Sequence, residues 1–284
     1  MATLTVSEAL QESINTLAPV SETARLDSEV WLARVLGAER TWLLAHGEHP
    51  LSEQQQADWQ TGLQRLAGGE PLPYLLGEWE FYGLTFQVSP FVLIPRPETE
   101  LLVEEAIAWL RVHTQRRAAA DVGTGSGIIP VAIAANVADV HFHAVDISPD
   151  ALAVAQANVH KHGLSERIAL SEGNLLAGIT APLDLITANL PYIPSARVPG
   201  LAVAAWEPLL ALDGGFDGLD LIRVLVEQAG RLLKAGGLFL EEIDPELEEP
   251  VQALAQAQWP RARVEVLPDL TGRPRLLRVE LEAA

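Results

Sequence analysis

From about residue 117 onward, short apolar runs alternate with helical stretches, and this alternation constrains the fold more than anything else in the chain. "AAADV" is a short apolar run that ends in a glycine-rich loop. "IIPVAIAANV" after it is helical, with Pro130 in the first turn, where a missing N–H costs little. "VHFHAVDIS" reads as a strand, "PDALAVAQANVHKHG" as a helix, and "RIALSEGN" and "LDLITANL" as strands. "GLDLIRVLVEQAGRLLKAGG" is a helix stopped by glycine, "LFLEEI" a strand, and "PELEEPVQALAQAQ" a helix. "RARVEVLPDLTGRPRLLRVEL" closes the chain as two strands around a turn. Strands alternating with helices predict a doubly wound, Rossmann-like α/β sheet over residues 97–284.

The region before it is of another kind. Residues 1–76 read as a small helical bundle. "TARLDSEVWLARVLGA" spaces Leu26, Val30, Leu32, Val35 and Leu36 as a helical stripe, with Gly37 as a stop. Ser52 followed by Gln55 is a capping-box pattern, and that helix ends at Gly68-Gly69. Residues 77–96 read as a connector in which Phe81, Tyr82, Leu84, Phe86 and Val88 form a β-hairpin around Gly83. A helix from Glu98 to Val112 follows.

"DVGTGSG", Asp121 to Gly127, lies between a strand and a helix. Glycines at 123, 125 and 127 let backbone approach a ligand and turn sharply. A dinucleotide fingerprint would place its third glycine one residue later, where Ile128 stands. Asp121 also opposes a pyrophosphate, which needs the positive helix end to itself, whereas it suits a cationic amine. The next strand ends in Asp146, placed to accept from both hydroxyls of a ribose. The ligand expected is a nucleoside with a cationic amino group and no phosphate, which S-adenosylmethionine fits. Asn174, in "EGN", is an amide placed to read an adenine edge, although Asn is also an ordinary turn residue.

The strand "DLITANLPYIPS" carries Asn189, Leu190, Pro191 and Tyr192 at its carboxyl end, which in open α/β sheets faces the ligand crevice. Methyl transfer from a sulfonium asks the protein mainly to orient a nucleophile. An NH2 on a conjugated carbon has a delocalised lone pair. Two acceptors for its hydrogens turn that lone pair toward the methyl, and the Asn189 side-chain oxygen and the Leu190 carbonyl can supply them. Pro191 stiffens the loop, and Tyr192 offers a flat face to a planar amide or base.

"VLIPRPETELLVE", "DVGTGSGIIPVAIA", "AVDISPDALAVAQANVHKHG", "DLITANLPYIPS", "WEPLLALDGGFDGLDLIRVL" and "DLTGRPRLLRVEL" closely resemble the release-factor glutamine methyltransferase family over residues 70–284. The resemblance implies a class I methyltransferase domain that uses S-adenosylmethionine and releases S-adenosylhomocysteine. Its implied substrate is the side-chain amide of the glutamine in the Gly-Gly-Gln motif of class I peptide chain release factors, with the bundle of residues 1–76 as a release-factor-binding part. By matching motif positions it implies that Asp121, Gly123, Thr124, Gly125, Ser126, Gly127, Asp146, Ile147, Asn174 and Leu175 hold the cofactor. Asn189 through Tyr192 hold the glutamine amide, with Asn189 also against the cofactor. The chain departs from the family pattern at three places: Leu190 replaces the first proline of Asn-Pro-Pro-Tyr, Asn174 stands where aspartate is usual, and Asp244 replaces a glycine.

Asn-Leu-Pro-Tyr is also the form seen in ribosomal RNA adenine methyltransferases, the alternative reading. Against it, roughly 120 residues precede the loop, and the net charge is −19, opposite to what a phosphate backbone needs. The charge also counts against a DNA methyltransferase. A binding module that keeps the fold without catalysis is opposed by intact Asn189, Pro191 and Tyr192. With no cysteine and no basic start followed by an apolar core, the chain is expected to be cytoplasmic, without membrane or direct nucleic-acid binding, and a monomer. His141 and His143 share a strand face and His160 and His162 point to different sides of a helix, so no metal site is read. "EEIDPELEE" is read as a solvated helix start. Trp79, Phe81, Tyr82 and Phe86 are read as packing between domains, and Trp206 as core or as part of the substrate entrance.

Overall fold

The structure, a computed structural model, describes residues 4–283 and divides into two compact units, one up to Glu78 and one from Trp79. The first unit is helical: α1 (Val6–Leu17), α2 (Ala24–Leu36), α3 (Arg40–Ala45), α4 (Glu53–Ala67) and α5 (Leu72–Leu76). Capping boxes start α1 at Thr5/Glu8 and α4 at Ser52/Gln55, each satisfying backbone N–H groups that a helix start leaves free. Gly37, at φ 63°, ends α2 in the left-handed conformation. Of the expected stripe on α2, Leu32 is buried, Val30, Val35 and Leu36 are half-buried and Leu26 is exposed, while Ala24, Ser28, Glu29 and Ala33 join Leu32 on the inner face. Trp59 of α4 donates its indole N–H to Ser13 of α1, and Trp31 of α2 donates its own to the Trp59 carbonyl. Gly62 leaves room for the Trp31 ring, which a Cβ would meet at 2.1 Å.

In the second unit β1 (Glu78–Phe81) and β2 (Leu84–Gln87) form the expected hairpin. Tyr82 and Gly83 both have positive φ, 52° and 72°, as a two-residue loop matched to strand twist requires. Phe81 and Phe86 are buried in the core of this unit with Leu102, Ile107 and Ile133, and not reserved for packing between domains. The remaining elements are α6 (Glu100–Val112), β3 (Ala118–Val122), α7 (Ile128–Asn136), β4 (His141–Asp146), α8 (Pro149–Lys161), β5 (Ile168–Glu172), β6 (Leu183–Ala188), α9 (Asp220–Leu232), β7 (Leu233–Glu242), α10 (Glu248–Gln258), β8 (Arg263–Pro268) and β9 (Pro274–Glu280). A 3-10 turn, Pro97–Thr99, precedes α6, so the α-helix itself starts two residues later than Glu98.

The sheet order is β5-β4-β3-β6-β7-β9-β8. The first five strands are parallel, and β9 and β8 are antiparallel additions. The chain enters at β3, winds out to β5, and returns to β6 beside β3. The strand order reverses there, and a crevice opens at the carboxyl ends. Every residue of β6 is buried, as a central strand covered on both faces demands. Leu238 and Leu240 of β7 enter one core with α6 and α7, while Phe239 enters the other with α9. The helix expected to run to Gly236-Gly237 stops at Leu232, and those glycines lie in β7, where the pairing with β6 shifts register between Leu183 and Leu185.

Candidate active site

The crevice at the reversal point holds a cavity lined by Gly123 to Ser126, Asp146, Ile147, Asn174, Leu175, Asn189, Leu190 and Pro191. Val92, Leu93, Pro95, Arg96 and Thr99, and Pro208, Leu210 and Ala211, supply further lining. The structure thus brings together most of the residues that the sequence pointed to. Gly127 stands outside the lining as the N-cap of α7, where a Cβ would press on Ala155 at 3.4 Å. Asp121, buried, and Tyr192, half-buried, are also outside the lining.

The glycine loop is held by its neighbours' backbone. The N–H groups of Gly123 and Thr124 both donate to the Val145 carbonyl of β4. Asp146, at the end of β4, accepts from the Gly125 N–H at 2.8 Å through one oxygen and from the Ser148 N–H at 2.9 Å through the other. Gly123, at φ 69°, could not carry a side chain without meeting the Leu190 methyl at 2.9 Å, so the two loops interlock. Asn158 of α8, fully buried, donates to the carbonyls of Ser126 and Gln87 and accepts from the Gln87 N–H. Asn158 escaped the sequence reading. Its signal was a polar side chain in line with Ala151 and Ala155, on the face that α8 buries. Leu175, at φ 53°, is a left-handed non-glycine residue on the cavity wall, a strain that accumulates at functional sites.

Asp121 accepts from the Thr187 hydroxyl at 2.7 Å through Oδ1, and its Oδ2 has no partner among the described residues. Burial pushes its carboxyl up to about 7, against the nearby Thr124 and Thr187 hydroxyls, which hold it down. The buried Thr124 hydroxyl makes no hydrogen bond of ordinary length among the described residues.

The loop after β6 rests on two acids that the sequence reading took for a solvated helix start. Glu241 and Glu242 end β7 fully buried, because β7 lies between β6 and β9. Glu241 accepts from the Leu190 N–H at 3.3 Å, and burial raises its pKa well above the usual carboxylate range. A proline at 190 has no N–H to give, so this substitution and this acid are physically linked. Glu242 accepts from the Thr99 hydroxyl at 2.6 Å and from the Tyr192 hydroxyl at 3.4 Å. Burial raises Glu242, and Thr99, Arg275 and Tyr192 oppose that rise. Asn189 donates from Nδ2 to Thr99 Oγ1 at 3.2 Å. Arg96 reaches both oxygens of Glu207, at 2.6 and 2.7 Å, and ties the segment before α6 to the turn carrying Pro208. Trp206 is half-buried and does not line the cavity.

The family model described as "PrmC N-terminal domain" matches residues 8–77, and "Methyltransferase small domain" matches residues 98–204. Over 275 residues the chain is 42% identical to the release factor glutamine methyltransferase of Moorella thermoacetica, covering 96% of this chain and 97% of that one. It is 38% identical over 258 residues to that of Bradyrhizobium diazoefficiens, covering 89% and 87%. A ribosomal protein L11 methylase from Lactobacillus delbrueckii subsp. bulgaricus shares the fold, with a TM-score of 0.51 at 22% identity over 69% of this chain and 84% of that one. With near-complete coverage at this identity, the chain belongs to the release factor glutamine methyltransferase family.

Proposed function

We propose that the protein transfers a methyl group from S-adenosylmethionine to the side-chain amide nitrogen of the Gly-Gly-Gln glutamine in class I peptide chain release factors. The observation that carries this reading is that Asn189 and the Gly123–Ser126 loop line one cavity, with the Asn189 Nδ2 already committed to Thr99. The donor set fits the cofactor. Asp146 offers carboxylate oxygens suited to ribose hydroxyls, and Ile128, Ile147 and Leu175 offer an apolar wall for a base. The partnerless oxygens of Asp121 and Thr124, buried beside the loop, suit a ligand that carries a cation and hydrogen-bond donors. When bound, S-adenosylmethionine supplies a methyl group on positively charged sulfur, an excellent leaving group.

The chain's own residues orient the amide. Asn189 Oδ1 and the Leu190 carbonyl accept the two amide hydrogens, which turns the nitrogen lone pair toward the methyl. Arg96 and Glu207 hold the cavity wall that excludes water. No strong base is needed until the methylated nitrogen loses a proton.

The test is methyl transfer from labelled S-adenosylmethionine to a purified class I release factor and, separately, to unmodified ribosomal RNA, with mass spectrometry locating the label. Label on the Gly-Gly-Gln glutamine, reduced about 100-fold or more by Asn189→Ala, is the expected result. Label on RNA adenine instead would overturn the reading.

A further inference from the structure

We propose that Thr99 and Glu242 are positioning residues for methyl transfer: they lock the Asn189 side-chain amide in the one orientation that turns its Oδ1 to the cavity. The proposal rests on the function argued above and names two further residues of that site.

An asparagine amide has two nearly isosteric orientations. One shows the cavity an acceptor and the other shows it two donors. Only the acceptor is useful to an incoming NH2, and the donor orientation would meet it with hydrogen against hydrogen. Both forms occupy the same space, so shape alone does not choose between them. The choice is made by a hydrogen-bond partner, Thr99, which lines the same cavity beside Asn189. Thr99 is 1% exposed, at the end of the Pro97–Thr99 turn. Its hydroxyl hydrogen is directed to Glu242 Oε2 at 2.6 Å, a length typical of a hydroxyl donating to a carboxylate. Glu242 has a second donor, the Tyr192 hydroxyl, on Oε1. With its hydrogen spent, Thr99 Oγ1 has only lone pairs to offer Asn189. It therefore accepts from Nδ2, at 3.2 Å, and repels Oδ1. The relay runs from Asn189 to Thr99 to Glu242, each donating to the next.

The parts of this relay lie on three elements. Asn189 follows β6, Glu242 ends β7, and Thr99 precedes α6. Parallel pairing of Ala188 with Glu241 puts the residues after them side by side. Thr99 is brought across 90 positions of sequence to sit between them. The sequence showed a Thr in "RPETE" and a Glu in an acidic run, and neither stretch displays this juxtaposition.

The test uses the full chain carrying Thr99→Val, which keeps the shape and removes the hydroxyl, and Thr99→Ser, which restores it. Two readouts are taken. The first is steady-state methylation of a release factor, with cofactor affinity from calorimetry. The expected result for the valine variant is cofactor affinity and KM for the release factor within about twofold, kcat lower on the order of 100-fold, and recovery with serine. The second readout is the hydrogen-exchange rate of the Asn189 side-chain NH2 by NMR, identified by its loss in Asn189→Ala. It should be slow in the wild type and the serine variant and fast in the valine variant. Unchanged kcat, or exchange that is alike in all three, overturns the proposal, as does a kcat loss that serine fails to recover. If the wild type itself leaves release factor unlabelled, the function above fails, and the exchange rates still decide whether Thr99 holds the amide.

Discussion

Asp121 shows how far a single side chain can differ from its reading in sequence. As a letter before a glycine loop it reads as a free carboxylate waiting for an amine. In the fold it is 0% exposed, braced on one oxygen by Thr187, with the other oxygen unpaired. Burial places its titration at about 7, against 3.8 for the free group. The folded chain therefore holds this proton over a range in which the unfolded chain has lost it. The contribution to stability is fully present below the unfolded value and is lost as pH rises through the folded one, at up to about 1.4 kcal/mol per pH unit. Asp121→Asn keeps the shape and removes the titration. Thermal melts of the ligand-free protein between pH 5 and 8 should show the wild type losing several degrees relative to the variant. Parallel curves for the two proteins would mean that Asp121 does not carry a raised pKa.

At the scale of elements, the stretch "DGGFDG" explains why the loop after β6 keeps its shape without the first proline of its family's pattern. Gly214 donates to the Ile193 carbonyl at 2.8 Å, and Ser195 donates to the Gly215 carbonyl at 2.8 Å. A Cβ on Gly214 would stand 2.7 Å from the Pro191 carbonyl oxygen, and one on Gly218, at φ 83°, would stand 2.3 Å from that of Tyr192. One backbone lies directly on the other, so the rigidity that Leu190 forgoes is supplied by this neighbour. Gly218→Ala should lower kcat at least tenfold and leave cofactor affinity unchanged, because Tyr192 must move. Gly272→Ala is the matched control: its φ is 81°, and a Cβ there meets nothing within 4 Å. It should cost about 1 kcal/mol of stability with no loss of kcat. Equal activity in the two variants would dismiss the stacked loops as a catalytic support. The sequence displayed "GGFDGLD" as a family mark with no role, because backbone-on-backbone contact leaves no periodic trace. The same limit hid Glu241 and Glu242. Their neighbours "DPELEE" do form a polar helix start, and only the place of β7 between β6 and β9 buries the first two acids. Alternation, caps and the glycine loop were legible because each depends on residues close in sequence. The inner face of α2, the Gly236-Gly237 segment and the Thr99 relay were not, because partners distant in sequence decide them.

For the molecule as a whole, the formal charge of −19 has to be reconciled with a polypeptide substrate. Asp121, Glu241 and Glu242 are buried, but most other acids are exposed, so the excess negative charge lies largely at the surface. The exposed apolar residues Phe91 and Leu209 adjoin lining residues in sequence, Leu210 lines the cavity itself, and Phe216 of the glycine-built loop is 89% exposed. A surface of this kind suits a partner that is basic overall and offers apolar side chains at the point of contact. A release factor's Gly-Gly-Gln region works against ribosomal RNA and should present basic residues, so an acidic enzyme would attract the same surface. Such attraction acts on encounter and is screened once the Debye length falls to about 10 Å near 0.1 M salt. The expectation is that kcat/KM for the release factor falls at least fivefold between about 0.02 and 0.3 M sodium chloride, with kcat nearly constant. Cofactor affinity measured in the same buffers separates encounter from any direct salt effect on the cavity. A kcat/KM that stays flat with salt would remove charge from the account and leave the exposed apolar side chains of Phe91, Leu209, Leu210 and Phe216 as the recognition residues to mutate.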